Sequence, residues 1–578
     1  MFTRIRIVYL SFLFVLGAIV LRLAYWQLVR GPTLRIQARD QYLEANVTSP
    51  DRGEILTADG YPLVGNSPVY SLGAYTPHMD DKPTSVVDSI LPLLEFEIED
   101  ESIATDAAKA VLKLEELRSN ARGTMLERLG SKSYATLAQG LSLEQKEAID
   151  ALGIVGLSFE ESFRRSYPEA SMSAHITGFV GRNDVGSPQG YFGLEGYYNG
   201  ELEGRVGITK EEKDAGGNPL LVGDYLERTV RSGRTLRLHL ERSVQYLAHE
   251  ELKKGLERYG AKGGEVIIMD PQTGGILAMV ALPAYDSAKF HLYDSQLYKN
   301  PSVADAYEPG STFKVLVMAA ALDSGKLKID DRCDICKGPL PIDKYVIKTW
   351  NGEYHPDAKP EDILVHSDNV GMVWIQRLMG GEVMREYLNT FGIGAKTGID
   401  LQEEIAPPVR SKWGEIDYAT ASFGQGLVVT SIEMVRAVGA IANGGVMMEP
   451  HTVKEVVGAE AVPVATKEQG RILKEETAKH MTELMIKSAD HGDAKWTRIP
   501  GYTVAGKTGT AQIAVAGHYD TEKTIASFVG FAPAHNPRFV MLVKLEEPTT
   551  SPWGSETAAP LWFTLARRLL LHYNIPPG

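Results

Sequence analysis

Three short segments of this chain carry the side chains that acyl transfer from a peptide requires. The first is Ser311-Thr312-Phe313-Lys314, which follows a Pro309-Gly310 turn and opens an apolar stretch. Because that stretch contains neither glycine nor proline, it predicts a buried helix that ends near Gly325. Ser311 would lie in the first turn of this helix, with Lys314 three residues later on the same face.

A serine hydroxyl is a weak nucleophile at neutral pH and needs a base within hydrogen-bond reach. Lys314 can be that base if burial or a neighbouring cation lowers its pKa toward neutrality. The alternative is a serine cap beside a solvated lysine, and the Ser-x-x-Lys spacing is expected about once or twice by chance in a chain of this length. The other two segments therefore decide how Ser311 is interpreted.

The second segment is Ser367-Asp368-Asn369. In an acyl transfer Ser367 could relay a proton to the leaving amine, and Asn369 could hold an amide of the substrate. Asp368 is assigned a structural role. The alternative for the whole segment is a polar turn without chemistry.

The third segment is Lys507-Thr508-Gly509-Thr510, at the end of a stretch from residue 502 that alternates as a strand. Lys507 would lower the pKa of Lys314 and attract a substrate carboxylate, which Thr508 could hydrogen-bond. Gly509 would let the substrate approach the strand edge closely. The backbone N–H group of Thr510, with that of the serine nucleophile, would form an oxyanion hole. The alternative is an edge strand whose lysine discourages pairing with another chain.

The remaining sequence predicts the elements that position these segments. Residues 264–270 and 275–282 form one hairpin pattern, and residues 525–531 and 539–545 form another, with helical patterns between them. Strand pairs at both ends of this region predict an α+β fold class, in which one antiparallel sheet is covered by helices. The chain has 578 residues and a net charge of −14, so we expect several domains and no nucleic-acid partner.

The N-terminus predicts a membrane anchor. Residues 7–28 are mostly apolar, with Arg4 and Arg6 before them and Tyr25 and Trp26 near the far end. We expect a single-pass protein of the cell membrane, with everything after residue 30 outside the cytoplasm. The alternative is a cleaved signal peptide, although no small-residue cleavage site follows the apolar run.

Two other features of the sequence have no assigned role in catalysis. Cys333 and Cys336 are the only cysteines, and a disulfide, free thiols or half of a metal site are all compatible with their spacing. His175 has no metal partner at ligand spacing and is expected to be structural. We expect no cofactor and no metal.

Taken together, the three motifs in this order are typical of class A β-lactamases and penicillin-binding proteins. Over nearly its whole length the chain resembles a class B penicillin-binding protein, a monofunctional D,D-transpeptidase of peptidoglycan synthesis. Beyond the three motifs, the resemblance is carried by Arg52-Gly53-Glu54-Ile55, Arg165-Ser166-Tyr167-Pro168, residues 175–181, Gly193-Leu194-Glu195, Asp270-Pro271-Gln272-Thr273-Gly274, residues 422–426 and Ser527-Phe528-Val529-Gly530-Phe531.

This resemblance implies three parts: a tail and transmembrane anchor (residues 1–30), an elongated non-catalytic pedestal (31–235) and a transpeptidase domain (236–578). It implies that peptidoglycan stem peptides are the substrate and that β-lactams acylate Ser311. It also implies partnership with a membrane glycosyltransferase and with division proteins. The sequence Glu308-Pro309-Gly310 is similar to that of the division (septal) branch.

Two other functions compete with this interpretation. A β-lactamase or a D-Ala-D-Ala carboxypeptidase would use water in place of the acceptor amine, and a short-lived penicillin adduct would identify it. A β-lactam sensor is expected to carry more membrane spans and a signalling domain, whereas a non-catalytic scaffold for other wall proteins would still function without the Ser311 hydroxyl.

Overall fold

The computed structural model describes residues 2–34, 43–48, 50–98, 101–131, 133–212, 225–515 and 518–578. These residues form two units, one made of Met1–Arg52 and Glu203–Gly233 and the other of Gly53–Leu202 and Arg234–Gly578. The three-part division at residues 30 and 235 remains a prediction.

The first unit contains the apolar N-terminal helix. It runs as an α-helix over Phe2–Ala24 and continues as a wider π-helical turn over Tyr25–Val29. Its 28 residues are long and apolar enough to cross a bilayer, as the sequence predicted. The same unit holds an antiparallel sheet of three strands, Leu43–Thr48, Gly207–Glu212 and Tyr225–Arg228.

The second unit is built around a five-stranded antiparallel sheet, here called the central sheet. Its strands lie in the order Ile276–Leu282, Gly263–Met269, Phe539–Glu546, His518–Ala532 and Ala505–Val515. Both predicted hairpins are present, and in each a turn separates two β-rich runs whose residues are almost all buried. Ala505–Val515 is an edge strand, and it begins three residues later than the alternating pattern suggested.

Helices cover both faces of the central sheet, which confirms the predicted fold class. Successive side chains of a strand point to opposite faces, so Val266 and Ile268 pack in one core while Ile267 and Met269 pack in the other. The first core is closed by the helices Arg242–Tyr259 and Ala558–His572. The second core contains the helices Lys314–Asp323, Asn369–Met379, Ser431–Ala442 and Glu475–His491.

A second, seven-stranded sheet of this unit takes strands from both sides of residue 235. The order is Ala461–Pro463, Val453–Val457, Thr235–Leu238, Ile55–Leu56, Pro62–Tyr75 and Tyr134–Leu141, and Leu157–Ser166 also pairs with Pro62–Tyr75. Thr235–Leu238 runs parallel to Ile55–Leu56 and antiparallel to Val453–Val457. A third core beside this sheet includes the helices Pro83–Ile90, Ala107–Ser131 and Leu143–Asp150.

Short elements complete the second unit. Its two-stranded pairs are Phe179–Arg182 with Pro188–Tyr191, Ala306–Tyr307 with Val429–Thr430, Leu340–Ile342 with Tyr345–Ile347, and Val446–Met448 with Glu468–Arg471. Its remaining α-helices are Glu101–Ala104, Ala174–Thr177, Gly193–Tyr197, Asn199–Leu202, Pro301–Ala304, Pro360–Val365, Gly381–Thr390 and Glu415–Ala421.

A buried ion pair joins two neighbouring strands of the central sheet. Lys544 and Glu265 are each 1% exposed and form a salt bridge, and the Lys544 ammonium lies 4.8 Å from the centre of the Tyr307 ring. We expect Lys544→Met to destabilise the fold by about 3–5 kcal/mol, because Glu265 would be left buried without a counter-charge. Urea unfolding would measure this change.

The exposed pair Lys262–Glu547 provides the matched control. The Lys262 side chain is 66% exposed, so Lys262→Met should change the free energy of unfolding by about 1 kcal/mol or less. Equal effects of the two substitutions would contradict the assignment of Lys544 as a buried counter-ion.

Candidate active site

The nucleophile segment begins as one turn of 3₁₀-helix, Gly310–Phe313, and continues as the α-helix Lys314–Asp323. Gly325, with φ of 69°, follows its end. The predicted buried helix is therefore present, and its first turn is tighter than an α-helix. Ser311 lies in that turn at the surface of a cleft, and Lys314 lies beneath it with no exposed surface.

Two glycines fix the backbone beside the nucleophile. Gly310 has φ of 56°, and its N–H group donates to the Gly424 carbonyl oxygen at 3.0 Å. A Cβ atom on Gly424, whose φ is 80°, would lie only 2.1 Å from the Gly310 carbonyl oxygen. The glycine-rich segment around residue 424 thus packs directly against the turn that presents Ser311.

A chain of hydrogen bonds joins the first two motifs. The Ser367 hydroxyl donates to Ser311 Oγ at 3.0 Å. Lys314 Nζ donates to Ser367 Oγ at 3.2 Å and to the Ser367 carbonyl oxygen at 2.5 Å. Among the described residues no hydrogen bond joins Lys314 directly to Ser311, so the contact between them runs through the Ser367 hydroxyl. Ser367 has φ of 54°, which is uncommon for a residue with a side chain and is typical of strained backbone at functional sites.

The environment of Lys314 favours its neutral amine. Burial lowers the pKa of Lys314 well below its usual range, and the positive charge of Lys507 lowers it further. Asp368 and Asp493 act in the opposite direction with smaller effect. A lysine in this state can accept a proton, which a solvated lysine at neutral pH cannot.

Asp368 and Asn369 have different roles in the structure. Asp368 caps the helix Asn369–Met379, because its Oδ1 accepts from the backbone N–H groups of Val370 at 2.8 Å and Gly371 at 3.1 Å. The Asn369 side chain accepts from Lys314 Nζ at 2.7 Å and donates to the Lys348 carbonyl oxygen at 3.0 Å. Both ends of the Asn369 amide are thus bound within the protein.

The third motif lies on the edge strand Ala505–Val515. Lys507 is 1% exposed, and its ammonium donates to Thr508 Oγ1 at 3.1 Å. Burial lowers the pKa of Lys507 to about 8, opposed by the charge of Asp493. A Cβ atom on Gly509 would lie 2.5 Å from Ser527 Oγ of the neighbouring strand and 2.8 Å from the Thr312 methyl group, so packing on both sides requires glycine there. Thr510 Oγ1 accepts from the Gly554 N–H group at 3.0 Å.

These segments enclose one cleft of about 380 Å³. Its lining includes Ser311, Ser367, Asn369, Thr508 and Thr510, while the two lysines lie beneath the surface. The structure therefore brings all three predicted motifs together.

The cleft also has lining residues that the sequence interpretation missed. These are Trp350, Asp493, Gln512, Thr524, Pro552, Trp553, Ser555 and Glu556. Phe423 and Gln425 also line the cleft. They belong to the glycine-rich segment 422–426, for which the sequence predicted no role in the site. The sequence signal that could have identified Trp350 and Trp553 is a tryptophan within an otherwise polar loop.

The two features outside the motifs have structural roles. His175 is buried and its Nε2 lies 2.9 Å from the Leu297 carbonyl oxygen, and burial lowers the pKa of this imidazole. Cys333 and Cys336 form a disulfide, which selects one of the alternatives that their spacing left open. In the part of the chain that the structure describes, no three His, Cys, Asp or Glu side chains cluster as metal ligands.

Comparison with known proteins gives the family. The penicillin-binding protein transpeptidase domain matches residues 264–569, and the penicillin-binding protein dimerisation domain matches residues 47–238. Stage V sporulation protein D of Bacillus subtilis is 31% identical over 587 residues, covering 98% of this chain and 86% of that protein. The probable peptidoglycan D,D-transpeptidase PenA of Neisseria meningitidis serogroup A is 30% identical over 569 residues, covering 96% and 90%.

A solved structure supports the fold. The crystal structure of penicillin-binding protein 2X from Streptococcus thermophilus has a TM-score of 0.74 with this chain at 23% identity, covering 92% of this chain and 80% of that one. Because both domains match and the two relatives align over nearly the whole chain, this chain belongs to the class B penicillin-binding proteins.

Proposed function

We propose that this protein is a serine D,D-transpeptidase that cross-links the stem peptides of peptidoglycan and is acylated by β-lactams at Ser311. The observation that carries the proposal is the hydrogen-bond chain from Ser311 through Ser367 to Lys314, on one wall of a cleft whose other wall is the edge strand with Thr508 and Thr510. A nucleophile, a relay and a buried amine are thus aligned beside a strand edge that a peptide can follow.

In the first half-reaction, Ser311 Oγ attacks the carbonyl carbon of the penultimate D-alanine. The serine proton passes through the Ser367 hydroxyl to the neutral Lys314 amine, and returns by the same route to the departing nitrogen as the C–N bond breaks. This leaves an ester on Ser311 and releases the terminal residue as an amine.

In the second half-reaction, the amine of another stem peptide attacks the ester carbonyl. A new amide bond forms, the bond to Ser311 Oγ breaks, and one proton of the nitrogen passes back to Ser311. A β-lactam enters the first step in the same way, but its opened ring stays attached, so the ester accumulates.

We assign the oxyanion hole to the backbone N–H groups of Ser311 and Thr510. The Ser311 group lies in the first turn of a helical segment, where N–H groups lack partners within the helix. Lys507 and Thr508 are assigned to the substrate carboxylate, and Asn369 to a substrate amide. The last assignment requires Asn369 to exchange its bond to the Lys348 carbonyl oxygen for one to the substrate.

Mass spectrometry of the protein after treatment with benzylpenicillin tests the proposal. We expect one adduct with the mass of the intact antibiotic, located on the peptide that contains Ser311. An adduct on another residue would contradict the assignment. Rapid loss of the adduct would indicate a hydrolase in place of a transferase, and no adduct at all would reject the acyl-enzyme.

The pH dependence of binding tests Lys507. Because its pKa is lowered to about 8, Lys507 is charged below that pH and becomes neutral above it. The attraction for a carboxylate is therefore lost as the pH rises through about 8, and we expect the dissociation constant of the non-covalent benzylpenicillin complex to rise about 5-fold between pH 7 and pH 9. Lys507→Met should bind weakly at both pH values, and the same rise in that variant would contradict the assignment.

We further propose that the apolar helix Phe2–Ala24 anchors the protein in the cell membrane with its catalytic part outside, and that it acts in septal synthesis beside a membrane glycosyltransferase. Arg4 and Arg6 on the N-terminal side and the Glu308-Pro309-Gly310 sequence support this setting. A fluorescent fusion in the native host should concentrate at division sites. Uniform labelling of the lateral wall would contradict the septal role.

A further inference from the structure

The side-chain nitrogen of Lys314 lies among three hydrogen-bond acceptors. Its distances are 2.5 Å to the Ser367 carbonyl oxygen, 3.2 Å to Ser367 Oγ and 2.7 Å to Asn369 Oδ1. An ammonium group has three N–H donors and no acceptor, whereas a neutral amine has two N–H donors and a lone pair. All three contacts are hydrogen bonds from Lys314 only when this lysine carries a proton. The surroundings of the nitrogen therefore match the state that Lys314 reaches after it has taken the proton of Ser311.

A proton on Lys314 places a positive charge in the interior, because this side chain has no exposed surface. Hydrogen bonds to neutral oxygens satisfy the donors but do not balance the charge, and an unbalanced buried charge is costly. Lys507 increases this cost, since its own positive charge acts on Lys314. The reaction therefore needs a negative charge close to Lys314.

Asp368 has one carboxylate oxygen that its capping role does not use. Oδ1 accepts from the N–H groups at the start of the helix Asn369–Met379, whereas the buried Oδ2 has no hydrogen-bond partner among the described residues. The Asp368 side chain is 1% exposed. A helix cap requires a single acceptor, and Asn or Ser supplies it about as well as Asp does. Capping alone therefore does not explain why this buried position holds a carboxylate.

The position of Asp368 in the chain brings its charge close to the lysine nitrogen. Lys314 Nζ is hydrogen-bonded to the residues on both sides of Asp368, which are Ser367 and Asn369. Both charged side chains are buried, where Coulomb interactions are stronger than in water. Of the described acids, Asp368 and Asp493 raise the pKa of Lys314, and the effect of Asp368 is the larger. Asp493 is exposed, so solvent and salt screen its charge.

We propose that Asp368 is a positioning residue that acts through Lys314, its buried carboxylate stabilising the ammonium group that forms as Ser311 attacks. In that step the Ser311 O–H bond breaks, the proton passes through the Ser367 hydroxyl to the Lys314 amine, and the bond from Oγ to the carbonyl carbon forms. The proton then returns to the departing nitrogen, so Asp368 itself neither gains nor loses a proton. The inference rests on the proposed function, because it concerns the base that activates Ser311.

The pH profile of acylation in Asp368→Asn tests this role. With the chromogenic cephalosporin nitrocefin, we expect the acylation rate constant on the plateau of the profile to fall about 3- to 30-fold, because the ammonium group loses its counter-charge. Lys314 should also hold its proton less tightly, so the acid limb of the profile should move to lower pH and the deficit should shrink as the pH falls. Asparagine keeps the helix cap, so the melting temperature should change little.

Asp368→Ser provides a second variant, since serine also caps the helix and introduces no buried amide. It should show the same displacement of the acid limb. An equal loss of rate at every pH in both variants, with the acid limb unmoved, would overturn the proposal, because a purely structural defect acts in that way. A wild-type profile in either variant would overturn it as well.

Asp362→Asn is the matched control, because it removes a carboxylate that caps the preceding helix, Pro360–Val365. Asp362 Oδ2 accepts from the Lys359 N–H group at 2.9 Å, and Asp362 is not among the described acids that act on Lys314. We expect its acylation rate constant to stay within about 2-fold of wild type at every pH. A displacement of the acid limb as large as that in Asp368→Asn would show that the effect is not specific to Asp368.

Asp493→Asn separates the two lysines of the site. Burial lowers the pKa of Lys507 to about 8, Asp493 opposes this change, and Asp368 is not among the described acids that act on Lys507. In Asp493→Asn the weakening of benzylpenicillin binding should therefore begin at lower pH, whereas in Asp368→Asn the pH dependence of binding should stay as in wild type. A displaced binding profile with an unmoved acid limb in Asp368→Asn would overturn the assignment. If wild-type protein forms no adduct on Ser311, the proposed function fails; if all variants keep the wild-type acylation profile, only the role of Asp368 fails.

Discussion

Ser311→Ala should abolish covalent labelling by benzylpenicillin and reduce transpeptidation by about 10³-fold or more, because it removes the hydroxyl that forms the ester. The substitution removes one oxygen that accepts a single hydrogen bond from Ser367. We therefore expect the variant to fold normally and to bind the antibiotic reversibly. Intact-mass measurement and a cross-linking assay would give the two readouts.

The control for this variant is Ser324→Ala, which removes a hydroxyl at the far end of the same helix. Ser324 Oγ donates only to the Ala321 carbonyl oxygen. Labelling should persist in this control. Labelling that persisted in Ser311→Ala would instead place the nucleophile elsewhere.

Replacement of Lys314 should have the second-largest effect. Lys314→Met removes the base, and we expect the acylation rate constant to fall by about 10²- to 10⁴-fold. Lys314→Arg should be similarly slow, because a guanidinium group keeps its proton and cannot accept the one from the serine. Stopped-flow acylation by a chromogenic β-lactam would measure both rate constants.

The arginine variant tests the role of Lys314 as a base more specifically than the methionine variant does, because it retains a hydrogen-bond donor for Ser367 and Asn369. Near wild-type acylation in Lys314→Arg would show that the residue contributes positive charge and hydrogen bonds and does not act as a base. The melting temperature of each variant would confirm that the larger guanidinium group has not unfolded the buried site.

Local patterns in the sequence predicted much of what positions the site. The helix behind Ser311 follows from an apolar run between a Pro-Gly turn and a glycine, and the hairpins follow from β-rich runs on either side of a turn. Family resemblance added the domain content, which the two domain matches support. The motif hypothesis also placed Lys507 near Lys314, and it required burial or a neighbouring cation for Lys314 to act as a base.

Other features depend on distances that no local pattern contains. Lys314 hydrogen-bonds to Ser367 and not to Ser311, and this choice of partner depends on how two helices pack against each other. Trp350 and Trp553 are about 200 positions apart in the chain, and their ring centroids nevertheless lie 5.0 Å apart at the cleft. The need for glycine at 509 likewise comes from contacts with other segments, namely Ser527 Oγ on the neighbouring strand and the Thr312 methyl group.

The sheet shared across residue 235 has a consequence for any attempt to isolate the C-terminal part. A fragment that begins at residue 236 would lack Ile55–Leu56, the parallel neighbour of Thr235–Leu238. The freed backbone N–H and C=O groups of that strand would form an open template for intermolecular pairing. Such a fragment should self-associate at high concentration, whereas a fragment cut after the N-terminal helix keeps the pairing intact and should remain dispersed.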